Sequence, residues 1–435
     1  MLAASAGTLC AQDVVGDWQG ALSVGPGQLH LALHFTKDTS GALQGTLDSI
    51  DQGAMGIRLS RVTLKDSTLT FLMDGGASYE GKLAGDEIHG KWTQGPPPAD
   101  PLDFKRGTAN APGRPQEPKK PYPYRSEDVS YENKAAGISL AATFTIPEGK
   151  GPFPAVVLIT GSGPQDRDEA LMGHKPFLVL ADYLTRHGIA VLRADDRGVA
   201  RSGGNFASAT SADFATDAEA GLAWLKTRSE ADPQKLGLIG HSEGGEIAPM
   251  IAARNKDVAF LVSLAGPALK GDEIIVEQVV AANEAAGAPH ALAVKNGEVE
   301  RQILSAVEAE KDPAQLRRKL AAFLPADAIE QNLPGLTSPW YRAFLAYDPT
   351  PDLRKVTCPV LALFGDKDTE VPAVQNIAAI RKALAENHQV EVDEMPGLNH
   401  LFQHAKTGAL REYSEIEETL SPDVLSKIAT WIAGR

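Results

Sequence analysis

The most constraining feature of the sequence is the pentapeptide Gly-His-Ser-Glu-Gly at 240–244, which separates an apolar run from a helical stretch. The apolar run covers 235–240, and the stretch 246–254 is rich in small residues. A serine at such a junction occupies a tight strand-to-helix turn, with its hydroxyl above the edge of the sheet. The pattern therefore predicts a parallel α/β sheet with Ser242 at the carboxyl end of one strand.

Two candidate partners of Ser242 lie downstream, each after a strand-like run. The apolar run 359–364 predicts a buried strand, and the loop after it carries Asp366 and Asp368. The next run, 388–395, is followed by a loop that carries His400. Because parallel strands end at the same edge of a sheet, we expect both loops to lie near the serine.

These residue types in this order are typical of nucleophilic catalysis. A serine hydroxyl is a weak nucleophile until a neutral imidazole removes its proton, and the imidazole needs an acceptor behind it. Ser242 is the predicted nucleophile, and His400 is the predicted base and then acid. Asp368 and Asp366 are alternatives for the orienting carboxylate, since they would point to opposite sides of an extended segment.

The negative oxygen that forms during acyl transfer requires two backbone donors. The first is expected to be the amide of Glu243, directly after the nucleophile. The second is expected in the loop after the apolar run 155–160, at Ser162 or Gly163. Three further residues are predicted to shape the turn around the nucleophile: Gly240, His241 and Gly244.

The charged residues of the neighbouring loops are expected to be structural. The segment Asp-Asp-Arg at 195–197 predicts an internal ion pair that braces its loop. Arg167 and Asp168 predict the same kind of brace. None of these side chains is predicted to take part in the chemistry.

Three motifs in a fixed order resemble a known family. They are Gly-Ser-Gly-Pro-Gln-Asp-Arg-Asp at 161–168, Asp-Asp-Arg-Gly at 195–198 and Gly-His-Ser-Glu-Gly-Gly at 240–245. Together they are similar to the bacterial α/β-hydrolase esterases of the serine aminopeptidase-like (S33) superfamily. The resemblance implies an α/β-hydrolase fold and carboxylesterase activity on small acyl esters. It also favours Asp368 as the acid, because the pattern Gly-x-x-Asp-x-x-Val-Pro fits 365–372 in that way only.

Composition limits the partners. A net charge of -14 and a pI near 5.2 argue against nucleic acid and anionic membrane, because phosphate binding is driven by lysine and arginine displacing counterions. No apolar run approaches the roughly 20 residues that span a bilayer. With only 2 cysteines and no clear set of histidine ligands, neither a metal nor a cofactor is expected. The expected partner is a small-molecule ester.

The amino-terminal region predicts a leader, a β-domain and a linker. Residues 1–12 are small and apolar, and they end like a secretory signal peptide, so we expect a periplasmic or secreted protein, with a cytoplasmic one as the alternative. Short alternating segments over 13–108 predict an antiparallel β-domain. Its opening, Gly-Asp-Trp at 16–18, resembles that of lipocalin-like barrels. The proline-rich stretch 109–124 predicts a semi-rigid linker.

The remaining residues, 125–435, predict a catalytic domain in which strands and helices alternate. That alternation predicts a mostly parallel, doubly wound α/β-hydrolase sheet. A helix-rich insertion over about 268–350 predicts a cap above the active site. Its aromatic residues at helical spacing either line an acyl pocket or pack the cap on the core: Trp340, Tyr341 and Phe344.

Three functions compete at this stage. The leading expectation is a serine carboxylesterase that hydrolyses short, uncharged acyl esters through an acyl-enzyme. A peptidase, aminopeptidase or thioesterase is the second, because one triad cleaves all these bonds. An aminopeptidase would need a carboxylate in the cap, such as Glu277, Glu284 or Glu298. The third, of another class, is a lipid- or glycan-binding protein that uses the amino-terminal β-domain.

Overall fold

The computed structural model describes residues 13–435 with these gaps: 25–26, 39, 51–53, 74–75, 95–98 and 108–112. The predicted signal peptide lies outside the described residues, as does part of the predicted linker. The contacts between residues divide the described chain into two compact units. One contains the residues up to Gly113 together with Leu171–His174, and the other contains Arg114–Ala170 and Lys175–Arg435.

The first unit is a closed antiparallel barrel in which β8 pairs back with β1. Its strands are β1 (Gly16–Val24), β2 (Gly27–Lys37), β3 (Leu43–Ser49), β4 (Ala54–Lys65), β5 (Thr68–Met73), β6 (Ser78–Ala84), β7 (Glu87–Thr93) and β8 (Asp100–Arg106). Along β6, buried and exposed residues alternate, as a strand with one buried face requires. The prediction of an antiparallel, barrel-like domain is confirmed.

Large aromatic side chains occupy the interior of the barrel. Trp18 is fully buried, and its indole nitrogen donates to the carbonyl of Val14 at 2.8 Å. The phenol of Tyr79 donates to the carbonyl of Leu102 at 2.9 Å, which satisfies its polar end inside an apolar core. The other buried aromatic residues are Phe35, Phe71, Trp92 and Phe104.

The second unit contains an eight-stranded sheet of the order β16-β15-β14-β13-β11-β12-β10-β9. Its strands are β9 (Arg125–Asn133), β10 (Ile138–Ile146), β11 (Phe153–Ile159), β12 (Ala190–Ala194), β13 (Ala231–His241), β14 (Phe260–Leu264), β15 (Val360–Gly365) and β16 (Val390–Met395). The strands from β11 onward are parallel, whereas β9 and β10 form an antiparallel edge. The central strands β14 and β15 are buried along their whole length, as expected for parallel strands covered on both faces.

Helices cover the sheet. They are α1 (Pro176–Arg186), α2 (Ser211–Leu225), α3 (Glu243–Ala252), α4 (Gly271–Ala285), α5 (His290–Ala309), α6 (Pro313–Leu320), α7 (Ala326–Leu336), α8 (Pro339–Ala346), α9 (Thr350–Leu353), α10 (Ala373–Ala383) and α11 (Pro422–Ala433), with a 3-10 helix at Leu410–Glu415. Helices α4 to α8 follow β14 and precede β15, where the helical cap was predicted. In the part of the chain that the structure describes, no helix has the length and apolarity needed to cross a membrane.

This sheet order with a helical insertion is the α/β-hydrolase fold, and the fold-class prediction is confirmed. The topology also decides where chemistry can occur. Strands β13, β15 and β16 are parallel, so the loops at their carboxyl ends meet at one edge of the sheet. Ser242 directly follows β13, Asp368 lies in the loop after β15, and His400 lies in the loop after β16.

Candidate active site

Ser242 stands in a strained turn between β13 and α3. Its φ of 52° and ψ of -119° lie outside the regions that L-residues favour, which is typical of a nucleophile held above a sheet. The turn requires its glycines, because a Cβ on Gly240 would lie 1.9 Å from the carbonyl oxygen of Gly244. A Cβ on Gly244 would lie 2.0 Å from the carbonyl oxygen of Ile159. Both glycines therefore occupy the positions predicted for them.

His400 and Asp368 form a hydrogen-bonded pair at the same sheet edge. The distance between His400 Nδ1 and Asp368 Oδ2 is 2.8 Å, and the carboxylate is fully buried. The other oxygen, Asp368 Oδ1, accepts from the amides of Glu370 and Val371, both at 2.8 Å. These bonds fix the carboxylate behind the imidazole and leave Nε2 as the ring nitrogen on the opposite side.

Asp366, the alternative acid, does not contact the imidazole in this arrangement. Its Oδ1 accepts from the amide of Gly397 at 2.6 Å, in the loop that leads to His400. Asp366 therefore holds the backbone of the histidine loop, while Asp368 holds the ring. The structure brings together the pair favoured by the resemblance.

His241 joins the nucleophile turn to the histidine loop. Its Nε2 lies 3.0 Å from the carbonyl oxygen of His400, and its Nδ1 lies 3.0 Å from Glu169 Oε1. Burial by itself would lower the pKa of His241, but the carboxylate of Glu169 outweighs burial and raises that pKa. His241 was predicted as part of the turn scaffold, whereas Glu169 was not predicted, because it lies 72 residues away in the chain and in no recognised pattern.

The loop after β11 passes directly beside the nucleophile, since a Cβ on Gly161 would lie 3.2 Å from the Cβ of Ser242. Asp196 holds this loop at two points. It accepts from Thr160 Oγ1 at 2.7 Å and from the amide of Gln165 at 2.9 Å. Burial raises the pKa of Asp196 to about 7.

Candidate donors for an oxyanion are present on both sides of Ser242. The amide of Gly161 is already occupied by Glu169 Oε1 at 2.7 Å, so Ser162 and Gly163 remain the predicted donors of this loop. Gly163 has a φ of 92°, which allows the backbone to turn there. The amide of Glu243 belongs to the first turn of α3, where amides have no partner within the helix.

The side chain of Glu243 is buried rather than solvated. Its Oε1 accepts from Ser211 Oγ at 2.6 Å and from Trp340 Nε1 at 2.7 Å. Burial raises the pKa of Glu243, and these two hydrogen bonds act in the opposite direction. Trp340 lies in α8, so a cap helix reaches the residue that follows the nucleophile.

The predicted aromatic cluster forms on α8. The Trp340 and Phe344 rings stack with centroids 5.4 Å apart, and the Trp340 and Tyr341 centroids are 6.1 Å apart. Trp340 joins this cluster to the nucleophile turn, through its hydrogen bond to Glu243. Its role in lining an acyl pocket stays a prediction.

The predicted internal ion pair of segment 195–197 is wrong, because each charge has a partner in another element. Asp195 pairs with Arg167, whose Nη2 lies 2.7 Å from Asp195 Oδ2. Arg197 pairs with Asp217 of α2, at 2.6 Å between Nε and Oδ2. The long arginine side chains reach across the loops, so they connect β12 to its neighbours instead of bracing one loop.

Asp168 also pairs outside its own segment, with Arg193 of β12. Two of the three cap carboxylates named for an aminopeptidase have other partners: Glu277 accepts from Gln375, and Glu284 lies against His290. Within the described ranges, no group of three or more histidine, cysteine, aspartate or glutamate residues is arranged to hold a metal ion.

A strained serine at the end of a central parallel strand, with a His-Asp pair in loops at the same sheet edge, is typical of a serine hydrolase of the α/β-hydrolase superfamily. The chain belongs to the X-Pro dipeptidyl-peptidase (S15) family, whose model matches residues 136–404. The match covers most of the second unit and excludes the barrel. The relation to α/β-hydrolase esterases that the motifs indicated is confirmed.

Among curated proteins, the chain is similar to esterase EstD of Thermotoga maritima, with 27% identity across 70% of this chain and 68% of that protein. It is 25% identical to an uncharacterized 31.7 kDa protein of Escherichia coli, across 55% of this chain and 81% of that protein. Among solved structures, an esterase of Pyrococcus furiosus is 17% identical with a TM-score of 0.45, covering 72% of this chain and 91% of its own. The protein Est1E of Butyrivibrio proteoclasticus, solved with ferulic acid, is 17% identical with a TM-score of 0.44, covering 71% and 100%.

Proposed function

We propose that this protein is a serine carboxylesterase that hydrolyses short, uncharged acyl esters through an acyl-enzyme formed on Ser242. The observation that carries the proposal is the pair His400-Asp368, held at the sheet edge where Ser242 stands in its strained turn. An imidazole held in one tautomer by a buried carboxylate is what a serine requires in order to become a nucleophile.

The reaction proceeds in two halves. His400 Nε2 takes the proton of Ser242 while Oγ attacks the ester carbonyl, and the negative oxygen is stabilised by the amides of Glu243 and of Ser162 or Gly163. The intermediate collapses, the bond to the alcohol breaks, and His400 returns its proton to the leaving alcohol. A water molecule, activated by His400, then releases the acid and restores Ser242.

Two observations support an uncharged ester as substrate. The protein carries a net charge of -14, which disfavours anionic substrates at long range. The aromatic cluster of α8 offers an apolar surface close to the nucleophile turn. The curated relative named as an esterase agrees with this assignment.

A peptidase is the second candidate, because the family to which the chain belongs is described as X-Pro dipeptidyl-peptidase. The same triad would cleave an amide, so the distinction depends on the bond that turns over fastest. Export of the protein remains a further proposal, supported by the composition of residues 1–12. Binding of a lipid or glycan by the β-domain stays the third expectation, and the buried side chains of that domain include six large aromatic residues.

The test combines covalent labelling with substrate comparison. The full chain is treated with a fluorophosphonate and the adduct is mapped, with Ser242→Ala as the matched unlabelled variant. Rates are then measured on p-nitrophenyl esters of increasing acyl length and on a dipeptidyl Xaa-Pro p-nitroanilide. An adduct on Ser242 and a short-chain ester optimum support the proposal. Faster turnover of the anilide would assign a peptidase, and an adduct on another serine would overturn the site.

A further inference from the structure

The carboxyl group of Glu243 connects three parts of the hydrolase unit. Glu243 begins α3, Ser211 begins α2, and Trp340 belongs to α8 of the cap. One oxygen, Glu243 Oε1, accepts from both Ser211 Oγ and Trp340 Nε1. We name this arrangement of Glu243, Ser211 and Trp340 the Glu243 latch.

The latch is buried at its core side. Glu243 is 4% exposed and Ser211 is 5% exposed, so the acceptor oxygen has little access to water when a donor is lost. A buried acceptor without a donor is costly, because no solvent replaces the missing bond. The bond from Trp340 therefore favours one position of α8 relative to the nucleophile turn.

Helix α8 is hydrogen-bonded to two other helices of the cap, α4 and α5. Arg342 donates to the carbonyls of Val307 and Glu310, both at 2.8 Å, at the end of α5. The amide of Gly271, at the start of α4, donates to the carbonyl of Tyr347 at 3.1 Å. Since α4, α5 and α8 are joined in this way, a bond to Trp340 anchors the cap and not merely one side chain.

The same residue supplies a predicted oxyanion donor. The backbone amide of Glu243 directly follows Ser242, and the side chain leaves the same backbone toward the cap. We propose that Glu243 is a positioning residue whose side chain, held by Trp340 and Ser211, fixes the oxyanion amide and seats the cap in the reactive arrangement. The inference rests on the proposed function, because it assumes that Ser242 forms the oxyanion intermediate.

The test removes each half of the bond while preserving shape. Trp340→Phe keeps a ring to stack on Phe344 and removes the donor, whereas Glu243→Leu removes the acceptor. Glu243→Gln retains an acceptor for both donors. The matched control is Trp431→Phe, since the indole nitrogen of Trp431 is buried and makes no hydrogen bond within the part of the chain that the structure describes.

We expect Trp340→Phe and Glu243→Leu each to lower kcat on a short p-nitrophenyl ester by about 10-fold with little change in KM, because an oxyanion donor acts in the transition state only. The Ki of phenylboronic acid, whose adduct needs the same donors, should rise in parallel. The double variant should resemble either single one, since both remove one bond. Trp431→Phe should stay within a few-fold of the parent enzyme, and Glu243→Gln, which keeps the acceptor, should recover most of the kcat that Glu243→Leu loses.

Several outcomes would overturn the inference. One is a kcat for Trp340→Phe equal to that of Trp431→Phe, and another is additive losses in the double variant. A rise in KM with unchanged kcat and unchanged boronic acid affinity would assign the latch to cap packing alone. Undiminished turnover by Ser242→Ala would overturn the proposed function together with the latch. Loss of activity in Ser242→Ala with an unaffected Trp340→Phe would overturn the latch alone.

Discussion

The two units of the chain bury different kinds of side chain. Among the described residues of strands β1 to β8, the buried polar or charged ones are Asp48 and Ser49, and the interior is aliphatic and aromatic. The hydrolase unit instead buries many ionisable groups near the carboxyl edge of its sheet: Arg167, Glu169, Arg193, Asp195, Arg197, His241, Glu243, Glu246, Asp368 and His400.

The hydrolase unit is the part of the molecule that bears the energetic cost of burying ionisable groups. Burying a charge is unfavourable unless partners compensate it, so an ordinary core avoids such groups. In the hydrolase unit, each compensated charge holds a particular loop or ring in place. His89 of the barrel, in contrast, meets Asp103 and Glu87 at the solvent surface. Burial of charge is therefore concentrated in the unit that carries the candidate active site.

The largest expected effect tests whether the buried carboxylate of Asp368 is required for ester hydrolysis. Asp368→Asn should lower kcat by about 10⁴-fold, because the amide cannot stabilise the imidazolium and favours the wrong tautomer of His400. Ester hydrolysis at saturating substrate measures the loss. Asp366→Asn is the matched control, since its oxygen can still accept from Gly397, and it should change kcat by no more than a few-fold. Equal losses in the two variants would contradict the assignment.

The next prediction tests whether the stability of the hydrolase unit depends on the buried ion pair between Arg167 and Asp195. Arg167→Met leaves Asp195 buried without its partner and should lower the free energy of unfolding of the hydrolase unit by about 3 to 5 kcal/mol. Urea denaturation, followed by a signal from this unit, measures the change.

The control for that change is Arg201→Met. Arg201 pairs with Asp128, and each side chain is 65% exposed. Loss of this surface pair should cost less than about 1 kcal/mol. Similar losses of unfolding free energy in Arg167→Met and Arg201→Met would contradict the prediction. They would mean that other groups compensate the charge of Asp195 when Arg167 is removed.

A smaller effect concerns the barrel. Tyr79→Phe removes the hydroxyl that donates to Leu102 and should lower the stability of the barrel by about 1 to 2 kcal/mol, since a buried carbonyl loses a donor. Thermal unfolding measures this loss, and kcat should be unchanged. Thr63→Val, at an exposed hydroxyl pair with Thr70, is the control with the smaller change. A drop in kcat for Tyr79→Phe would break the proposed separation between the units.

The last prediction concerns the dependence of stability on pH. Asp196 has a pKa of about 7 in the folded protein, above the value of about 3.9 for an unfolded chain. Between these values the folded state binds more protons, so its stability falls as pH rises from about 4 to about 7 and changes no further above that range. Asp196→Asn should flatten this slope. The free energy of unfolding is measured at about pH 5 and about pH 8 for the parent protein and for Asp196→Asn. An equal change with pH in the two proteins would contradict the prediction.

The predicted helices and strands agree with the structure where the pattern was strong. The insertion predicted over about 268–350 is helical and lies between β14 and β15. The loops bearing Ser242, Asp368 and His400 were placed correctly because topology alone brings parallel strand ends together. The role of each residue there remains a proposal.

The errors and omissions share a physical cause. Arg197 pairs with Asp217, 20 residues away, and Trp340 reaches Glu243, 97 residues away. Such pairs depend on the final orientation of long side chains, which local pattern does not encode. Glu169 was missed for the same reason.

The order of apolar runs, glycines and polar loops was sufficient to determine the α/β-hydrolase sheet, the barrel before it and the turn at Ser242, because backbone periodicity and steric limits act locally. The tertiary structure placed Asp368, which the resemblance had favoured over Asp366, against the imidazole. It alone showed the partners of buried charges such as Asp195 and Arg197 and placed Trp340 on Glu243. These contacts depend on distances between side chains that only the folded backbone brings together. In a buried site, a polar group that misses its partner by a small distance loses a bond that water cannot replace.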